Sequence, residues 1–373
     1  MNVINLEELK KISPFKWHNK IPPNGISLGV ADVDFQGPDG IIDYITQNLK
    51  ESHCYYQNQS GMPIGIQAAK KYLIGKNIDV NDSNIQIIPG TMIGIYAAMK
   101  FISQYNGTIS MIGPIYEPIH KHAAQCGNRI NWIPIINGTF DEEALKLSIS
   151  DNTKMISICS PTNPIGHVYN MNQLKVIRDL CVDYNLICFS DELYEPLTYN
   201  QENIPIASLD GMTERVISLY GFSKAYGLAG FRSGFMFLGD IITEKIKDII
   251  NLQLVSPSPI ASIVCDYALN DLRAKEWRRK FKQKMKENTS FAAQLFRKNG
   301  INCNIPDSCF FVFPNIETDD IVFSEELLLH KGVQVIPGSS FGPMGQNHLR
   351  INCATSTEIL EEGLSRIIDH LNL

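Results

Sequence analysis

Through its middle, the chain alternates short apolar runs with longer segments of helical spacing. "NIQIIPG" (84–90) reads as a strand ending at a Pro-Gly bend, and "TMIGIYAAMKFISQY" (91–105) has helical length and apolar spacing. "TISMIGP" (108–114) is a second strand, "YEPIHKHAAQCG" (116–127) a helix with a glycine stop, and "INWIPI" (130–135) a third strand. "KMISICSP" (154–161) leads into the turn "TNPIG", and Asn170 is placed to cap the helix "MNQLKVIRDLCVDYN" (171–185). "LICFSDE", "RVISLYGFS" and "SGFMFLG" add further strands. Strands apolar on both faces and separated by helices predict an α/β fold with a mostly parallel sheet covered on both sides. After about residue 270 the pattern changes. A charged helix, "DLRAKEWRRKFKQKMKENTSFAAQLFRKNG" (271–300), precedes short strands such as "CFFVFPNI" (309–316), which predicts a second, smaller α+β domain.

Composition narrows the classes of function. Apolar residues make up 44% and charged residues 19% of the 373, enough for a sizeable core. The net charge is −6, so there is no basic excess to neutralise nucleic-acid phosphates. The basic stretch "RAKEWRRKFKQKMK" interleaves Glu276 and reads as the solvated face of an amphipathic helix. No apolar run reaches the length of a membrane span. The nine cysteines form no C-x-x-C pair, and several sit inside apolar runs, as buried thiols do in a reducing compartment. The first residues lack the pattern of a secretory leader. A cytoplasmic protein with neither nucleic acid nor membrane as partner is the expectation. His120 and His122 lie two apart, on different faces of their helix, so no metal site is expected.

Three motifs carry chemistry, each at the end of a strand, where open parallel sheets bind ligands. "SDELY" (190–194) places Asp191 at the end of a buried strand, either as a cap for the next helix or as partner to a buried cation. "SPTNPIG" (160–166) is a stiff turn in which Asn163 precedes a proline, a setting where a cis bond is plausible. "SLYGFSKAYGLAGFRSG" (218–234) sets Lys224 and Arg232 eight residues apart in a glycine-rich bend. A desolvated lysine becomes a nucleophile toward carbonyls, and an arginine binds a phosphate through two parallel hydrogen bonds. An aldehyde and a phosphate on one molecule suggest pyridoxal phosphate.

Together these motifs resemble the fold-type I pyridoxal-phosphate enzymes of the class I/II aminotransferase group, from about residue 25 to the C-terminus, with "FSKAYGLAGFRSG" as the most specific match. The resemblance implies a large cofactor-binding domain over 45–270. A small domain would combine an N-terminal segment, 1–44, with 271–373. By resemblance Lys224 is the lysine that joins the cofactor aldehyde and moves the proton, and Asp191 pairs with the pyridine nitrogen. Tyr194 and Asn163 match the groups that meet the cofactor's phenolic oxygen. Arg232, Ser223, and the backbone of Gly90, Thr91 and Met92 in "PGTM" match its phosphate ligands. Tyr116 in "GPIYEP" matches the aromatic residue stacked on the ring. Tyr56 in "YYQNQSG" matches the tyrosine that reaches the partner subunit's phosphate, which implies a homodimer. Arg350, in "VQVIPGSSFGPMGQNHLRINCATS", matches the clamp for the substrate α-carboxylate, with Asn163 and Ala31 beside it.

The resemblance implies transfer of the α-amino group of an amino acid to a 2-oxo acid. Three alternatives stay open at this point. "GVADVDF" (29–35) resembles the cystathionine β-lyase-like branch, which cleaves carbon–sulfur bonds. A decarboxylase and a catalytically silent cofactor-binding protein use the same groups. Gly221 stands three before Lys224, where the family has Ser or Thr, so one phosphate ligand is absent. No second arginine matches a receptor for a side-chain carboxylate; Arg129 and Arg273 are candidates by residue type alone. Tyr55, Phe341 and the "GVADVDF" segment are expected to wall the substrate pocket.

Overall fold

The computed structural model describes residues 4–17, 21–136 and 138–372. Residues 1–3 and 18–20 of the N-terminal segment lie outside the described residues.

After a short first strand, β1 (Ile26–Ser27), the chain builds a central sheet of eight strands. They are β2 (Ile85–Ile88), β3 (Thr108–Gly113), β4 (Arg129–Ile136), β5 (Thr139–Phe140), β6 (Thr153–Cys159), β7 (Ile187–Asp191), β8 (Val216–Gly221) and β9 (Gly234–Leu238). Their order across the sheet is β2-β9-β8-β7-β6-β3-β4-β5. The run β8-β7-β6-β3-β4 is parallel throughout. β9 runs against both of its neighbours, and β5 folds back on β4 as a hairpin. β2, β3, β7, β8 and β9 are buried at every position, which is why their sequences read as unbroken apolar runs. Helices Met92–Ser103, Glu117–Gln125 and Met171–Asp183 fall where the periodicity predicts them. Asn170 caps the last through a reciprocal box: its side chain accepts from the Gln173 N–H, and the Gln173 side chain accepts from the Asn170 N–H.

The register sets the site. Cys159 lies opposite Asp191, and Asp191 opposite Leu219, so the ends of β6, β7 and β8 are level. Gly221 at the end of β8 faces Gly234 at the start of β9. The loops bearing Asn163, Tyr194 and Lys224 therefore leave the sheet side by side.

A second core brings Ile26 and Leu28 together with Phe296, Val312, Leu327, Val333, Ile351 and Leu364. Its strands are β10 (Phe311–Val312), β11 (Val333–Gln334), β12 (Ile336–Pro337) and β13 (Leu349–Asn352). β1 pairs in parallel with β11, and β10 and β12 flank β13 antiparallel. The strand read over "CFFVFPNI" is thus only two residues long. Cys309 adopts φ 69°, outside extended geometry, and Pro314 has no N–H for a ladder. The helix Leu272–Lys298 joins the two cores: Trp277, Phe281 and Met285 enter the first, Ala292, Ala293 and Phe296 the second.

Phe281 is fully buried, stacked on Trp277 at 4.9 Å and edge-on to Phe35 and Phe310, both at 6.0 Å. Replacing it by alanine is expected to cost about 3–5 kcal/mol, from lost burial and the cavity left between helix and sheet. Urea denaturation of the cofactor-free protein checks this; a loss below about 1 kcal/mol would mean the cavity closes.

Candidate active site

One cavity at the carboxyl ends of the strands is lined by Thr91, Met92, Tyr116, Asn163, Asp191, Tyr194, Ser223, Lys224 and Arg232, with Leu193 and Ala229 beside them. The first nine are residues that the sequence motifs single out, and five separate loops deliver them. Arg350 reaches the same place from β13: its Nη1 donates to Asn163 Oδ1 at 3.4 Å, and its Nη2 to the Gly29 carbonyl at 2.7 Å.

Asp191 ends β7 and is buried. Its Oδ1 accepts the Leu193 N–H at 3.2 Å, so it closes a short turn as a capping residue would and still faces the cavity. Burial pushes its carboxyl up to about 7, against the partial relief of that N–H and of Lys224. Lys224 follows β8, and its Nζ donates to the Ala31 carbonyl at 2.5 Å. Desolvation lowers its ammonium from 10.5 to about 8; Asp32 and Asp191 oppose the shift, while Arg350 and Arg232 add to it. The Tyr194 hydroxyl is buried and has no hydrogen-bond partner. Its ring is fixed edge-on by Phe310 and Phe311 at 5.6 Å. Asn163 sits in a turn closed by the Thr162 N–H to the His167 carbonyl and the Gly166 N–H to the Thr162 carbonyl, and the Asn163–Pro164 bond is cis.

On the other side, helix Met92–Ser103 begins with no side-chain cap, so its first N–H groups are open toward the cavity. Arg232 holds the left-handed conformation, φ 50°, with Nη1 donating to the Ala229 carbonyl at 3.0 Å. Its Nη2 would lie 2.4 Å from a Cβ on residue 90, which only Gly90 can avoid. At Gly221 a Cβ would stand 3.1 Å from the Thr91 methyl and 3.3 Å from Leu193, a tight fit that would require those side chains to give by a few tenths of an ångström.

Two residues lie elsewhere. Tyr56 is 85% exposed and outside its own chain's cavity. Ala31 meets the site through its carbonyl rather than its side chain. Of the candidates for a second carboxylate receptor, Arg273 pairs with Asp271 at 2.8 Å and stacks on Tyr267, and Arg129 is exposed at the opposite end of β4. Neither lines the cavity of its own chain. Around Arg350 the walls are aromatic, with Phe311 at 4.5 Å and Phe341 at 5.0 Å, whereas Tyr55 is exposed. His120 Nε2 donates to the Ser340 carbonyl at 2.9 Å, and no metal-binding cluster exists among the described residues.

The chemistry of this set fits pyridoxal phosphate. The unpartnered buried Tyr194 hydroxyl and the buried Asp191 carboxyl suit the two polar sides of its ring, and the uncapped helix with Arg232 suits its phosphate. Fold and site together define an α/β enzyme that works with that cofactor. The chain belongs to the class I and II aminotransferase family, whose model matches residues 23–367. It is similar to aspartate aminotransferase of Pyrococcus horikoshii, 30% identical over 354 residues, covering 92% of this chain and 89% of that one. It is also similar to aromatic-amino-acid aminotransferase 2 of Thermococcus litoralis, 28% identical over 355 residues, covering 92% and 90%. The crystal structure of aromatic aminotransferase from Pyrococcus horikoshii matches with a TM-score of 0.86 at 26% identity over 99% of both chains. The protein is a pyridoxal-phosphate-dependent aminotransferase acting on an amino acid and a 2-oxo acid. The carbon–sulfur lyase suggested by "ADVDF" is not supported by these relatives.

A carboxyl raised from 3.8 to about 7 binds its proton more tightly folded than unfolded, so this group's stability contribution is lost as pH rises through about 7. Buried Glu192 and Glu195, raised to about 8 and about 7, act in the same direction. Asp191→Asn is therefore expected to raise the melting temperature of the cofactor-free protein more at pH 8 than at pH 5, because the contribution declines across the window from 3.8 to about 7. It should also weaken cofactor binding. Calorimetry at the two pH values checks the sign; a lower melting temperature at pH 8 would contradict the burial argument.

Proposed function

We propose that this aminotransferase carries the α-amino group of one amino acid to a 2-oxo acid with Lys224 as nucleophile and proton carrier and Arg350 as receptor for the substrate α-carboxylate. The observation that carries this reading is the convergence of Lys224, Asp191 and Asn163 on one cavity, with Arg350 bonded to that same Asn163. When bound, pyridoxal phosphate supplies an aldehyde for amine exchange and a ring that takes up the electrons left at the substrate Cα. With its ammonium lowered to about 8, Lys224 holds a useful fraction of free amine near neutral pH, able to attack a carbonyl and to take the proton from the substrate Cα. The Asp191 carboxyl, which lines the cavity, would pair with the ring nitrogen and keep a proton there. Asn163 and Tyr194 would offer donors to the phenolic oxygen. The N–H groups of the Met92–Ser103 helix, Ser223 and Arg232 would hold the phosphate. Arg350 keeps one edge open for a carboxylate: its Nε is buried without a partner and its bond to Asn163 is long. Tyr116, half-buried at the head of its helix and lining the cavity, would stack on the ring.

Other parts of the reading are coarser. We divide the chain into 1–44 and 271–373 as the small domain and 45–270 as the large one; the two separate cores support this. A homodimer is supported by Tyr56, which is far more exposed than an ordinary aromatic side chain, beside the exposed Tyr55. A cytoplasmic location is supported by nine cysteines all present as free thiols. Among the described residues no helix is long and apolar enough to cross a membrane.

The test is a single half-reaction. The protein is loaded with pyridoxal phosphate and one equivalent of an amino acid is added without a 2-oxo acid. The cofactor absorbance is expected to convert to that of its aminated form and stay there. Recovery of the starting band with release of ammonia would overturn amino transfer. Lys224→Ala is expected to abolish turnover, and full activity in that variant would remove the lysine from its role. Tyr56→Phe should weaken cofactor affinity by about tenfold, the loss of one hydrogen bond to a charged group, in a protein that sediments as a dimer. A monomer with unchanged affinity would defeat the shared-site reading.

A further inference from the structure

We propose that Lys16 is a positioning residue: its buried ammonium fixes the backbone strap 29–34 that holds Arg350 in its working orientation. The proposal rests on the role given above to Arg350.

Beyond β1 the chain leaves the sheet and passes over the site as irregular backbone. Its carbonyls meet the polar side chains of the site one after another. The Gly29 carbonyl accepts from Arg350 Nη2 at 2.7 Å, and the Ala31 carbonyl from Lys224 Nζ at 2.5 Å. Between and beyond them, the Val30 and Asp32 carbonyls accept from Asn352 Nδ2 at 2.7 and 2.8 Å. Asn352 stands two residues after Arg350 on β13, so both project to the same face of that strand. At one end Leu28 pairs with Gln334 and Asn352 through backbone bonds. At the other, Asp34 donates its N–H to the Ala354 carbonyl at 3.0 Å, and its side chain enters a fully buried knot.

In that knot Lys16 Nζ donates to Asp34 Oδ2 at 2.7 Å, and Trp17 Nε1 donates to Asp34 Oδ1 at 3.0 Å. Lys16 and Asp34 side chains are both 0% exposed. An ion pair so deeply buried is a weak source of stability, because desolvation offsets the attraction, and two apolar residues would fill the space as well. What the apolar pair could not supply is the third contact. Lys16 Nζ also reaches the Asp32 carbonyl at 3.2 Å, on the residue next to the one whose carbonyl meets Lys224. The ammonium thus ties the side chain of Asp34 and the backbone of Asp32 to one point and sets the turn between them. With the strap in place, Arg350 has Nη2 engaged by Gly29 and Nη1 by Asn163 and its Nε free, which is the geometry that leaves an edge for a carboxylate.

The test uses the cofactor-loaded enzyme with Lys16→Met and Asp34→Asn combined, so that no carboxylate is left buried without its partner. The KM for the amino donor is expected to rise about tenfold, as for a weakened charge-assisted hydrogen bond, while kcat changes by less than about threefold. In the cofactor-free variant, amide exchange across 29–34 should accelerate. A lower melting temperature with KM and exchange unchanged would make the knot merely structural and overturn the proposal. Should the double variant not fold, Trp17→Phe removes one donor from the knot and is expected to shift KM the same way by a smaller factor; an unchanged KM there overturns the proposal equally. Arg350→Lys separates the two readings. A raised KM in Arg350→Lys beside an unchanged KM in the knot variants sinks the role of Lys16 alone. An unchanged KM in Arg350→Lys sinks the carboxylate clamp, and the proposal with it.

Discussion

Desolvation at the carboxyl edge of a parallel sheet is the constraint on which the site depends. Asp191 and Lys224 sit there with too little water to support their charges, and each is driven toward its neutral form. Their mutual attraction only partly offsets this. A cofactor that brings a protonatable ring nitrogen to one and an aldehyde to the other relieves both at once, so two groups that are costly to bury become the two ends of one binding site. The level ends of β6, β7 and β8 make this arrangement possible, because the register fixes which residues leave the sheet together.

The second requirement is that the substrate end be built by a different part of the chain from the cofactor end. Arg350 lies on β13, whose neighbours belong to the second core, yet its guanidinium bonds Asn163 of the first. Phe311 and Phe341 press on its faces, so it lies in an aromatic slot rather than in water. The strap 29–34 crosses between the two cores and touches both cations. On the role proposed for Arg350, recognition of the α-carboxylate depends on how the small core, the strap and the large sheet are set against each other, and a change far from the cavity can reach it through them.

Most of the cofactor set was legible because each member stands at a point where local pattern changes. Asp191, Asn163 and Lys224 follow buried apolar runs directly, and Gly90 and Thr91 stand between a strand and a helix. Strand ends in α/β sheets collect ligands, but position alone left Asp191 and Lys224 with their bland readings; the three motifs together, by their resemblance to the aminotransferase family, raised them. Lys16 gave no such signal. A single lysine between Phe15 and Trp17 carries no motif, and its partner lies 18 residues on, across a bend that no periodicity encodes. The brevity of β10 was equally hidden, since "CFFVFPNI" has the composition of a strand and only the positive φ of Cys309 shows where extension fails. Gly221 was visible as a departure, but how closely the Thr91 methyl and Leu193 approach the place of a side chain there was not.

By itself the sequence determined the order of strands and helices, the parallel character of the sheet and the residue types available at the strand ends. Those follow from local hydrophobic period and from short motifs, which act over a few residues. Only the tertiary structure decided that Arg350 shares a bond with Asn163, that Arg129 and Arg273 lie away from the site, and that Lys16 is buried against Asp34. Those contacts join residues distant along the chain, and their geometry is set by how two cores pack, a property of the whole fold that no local window of sequence contains.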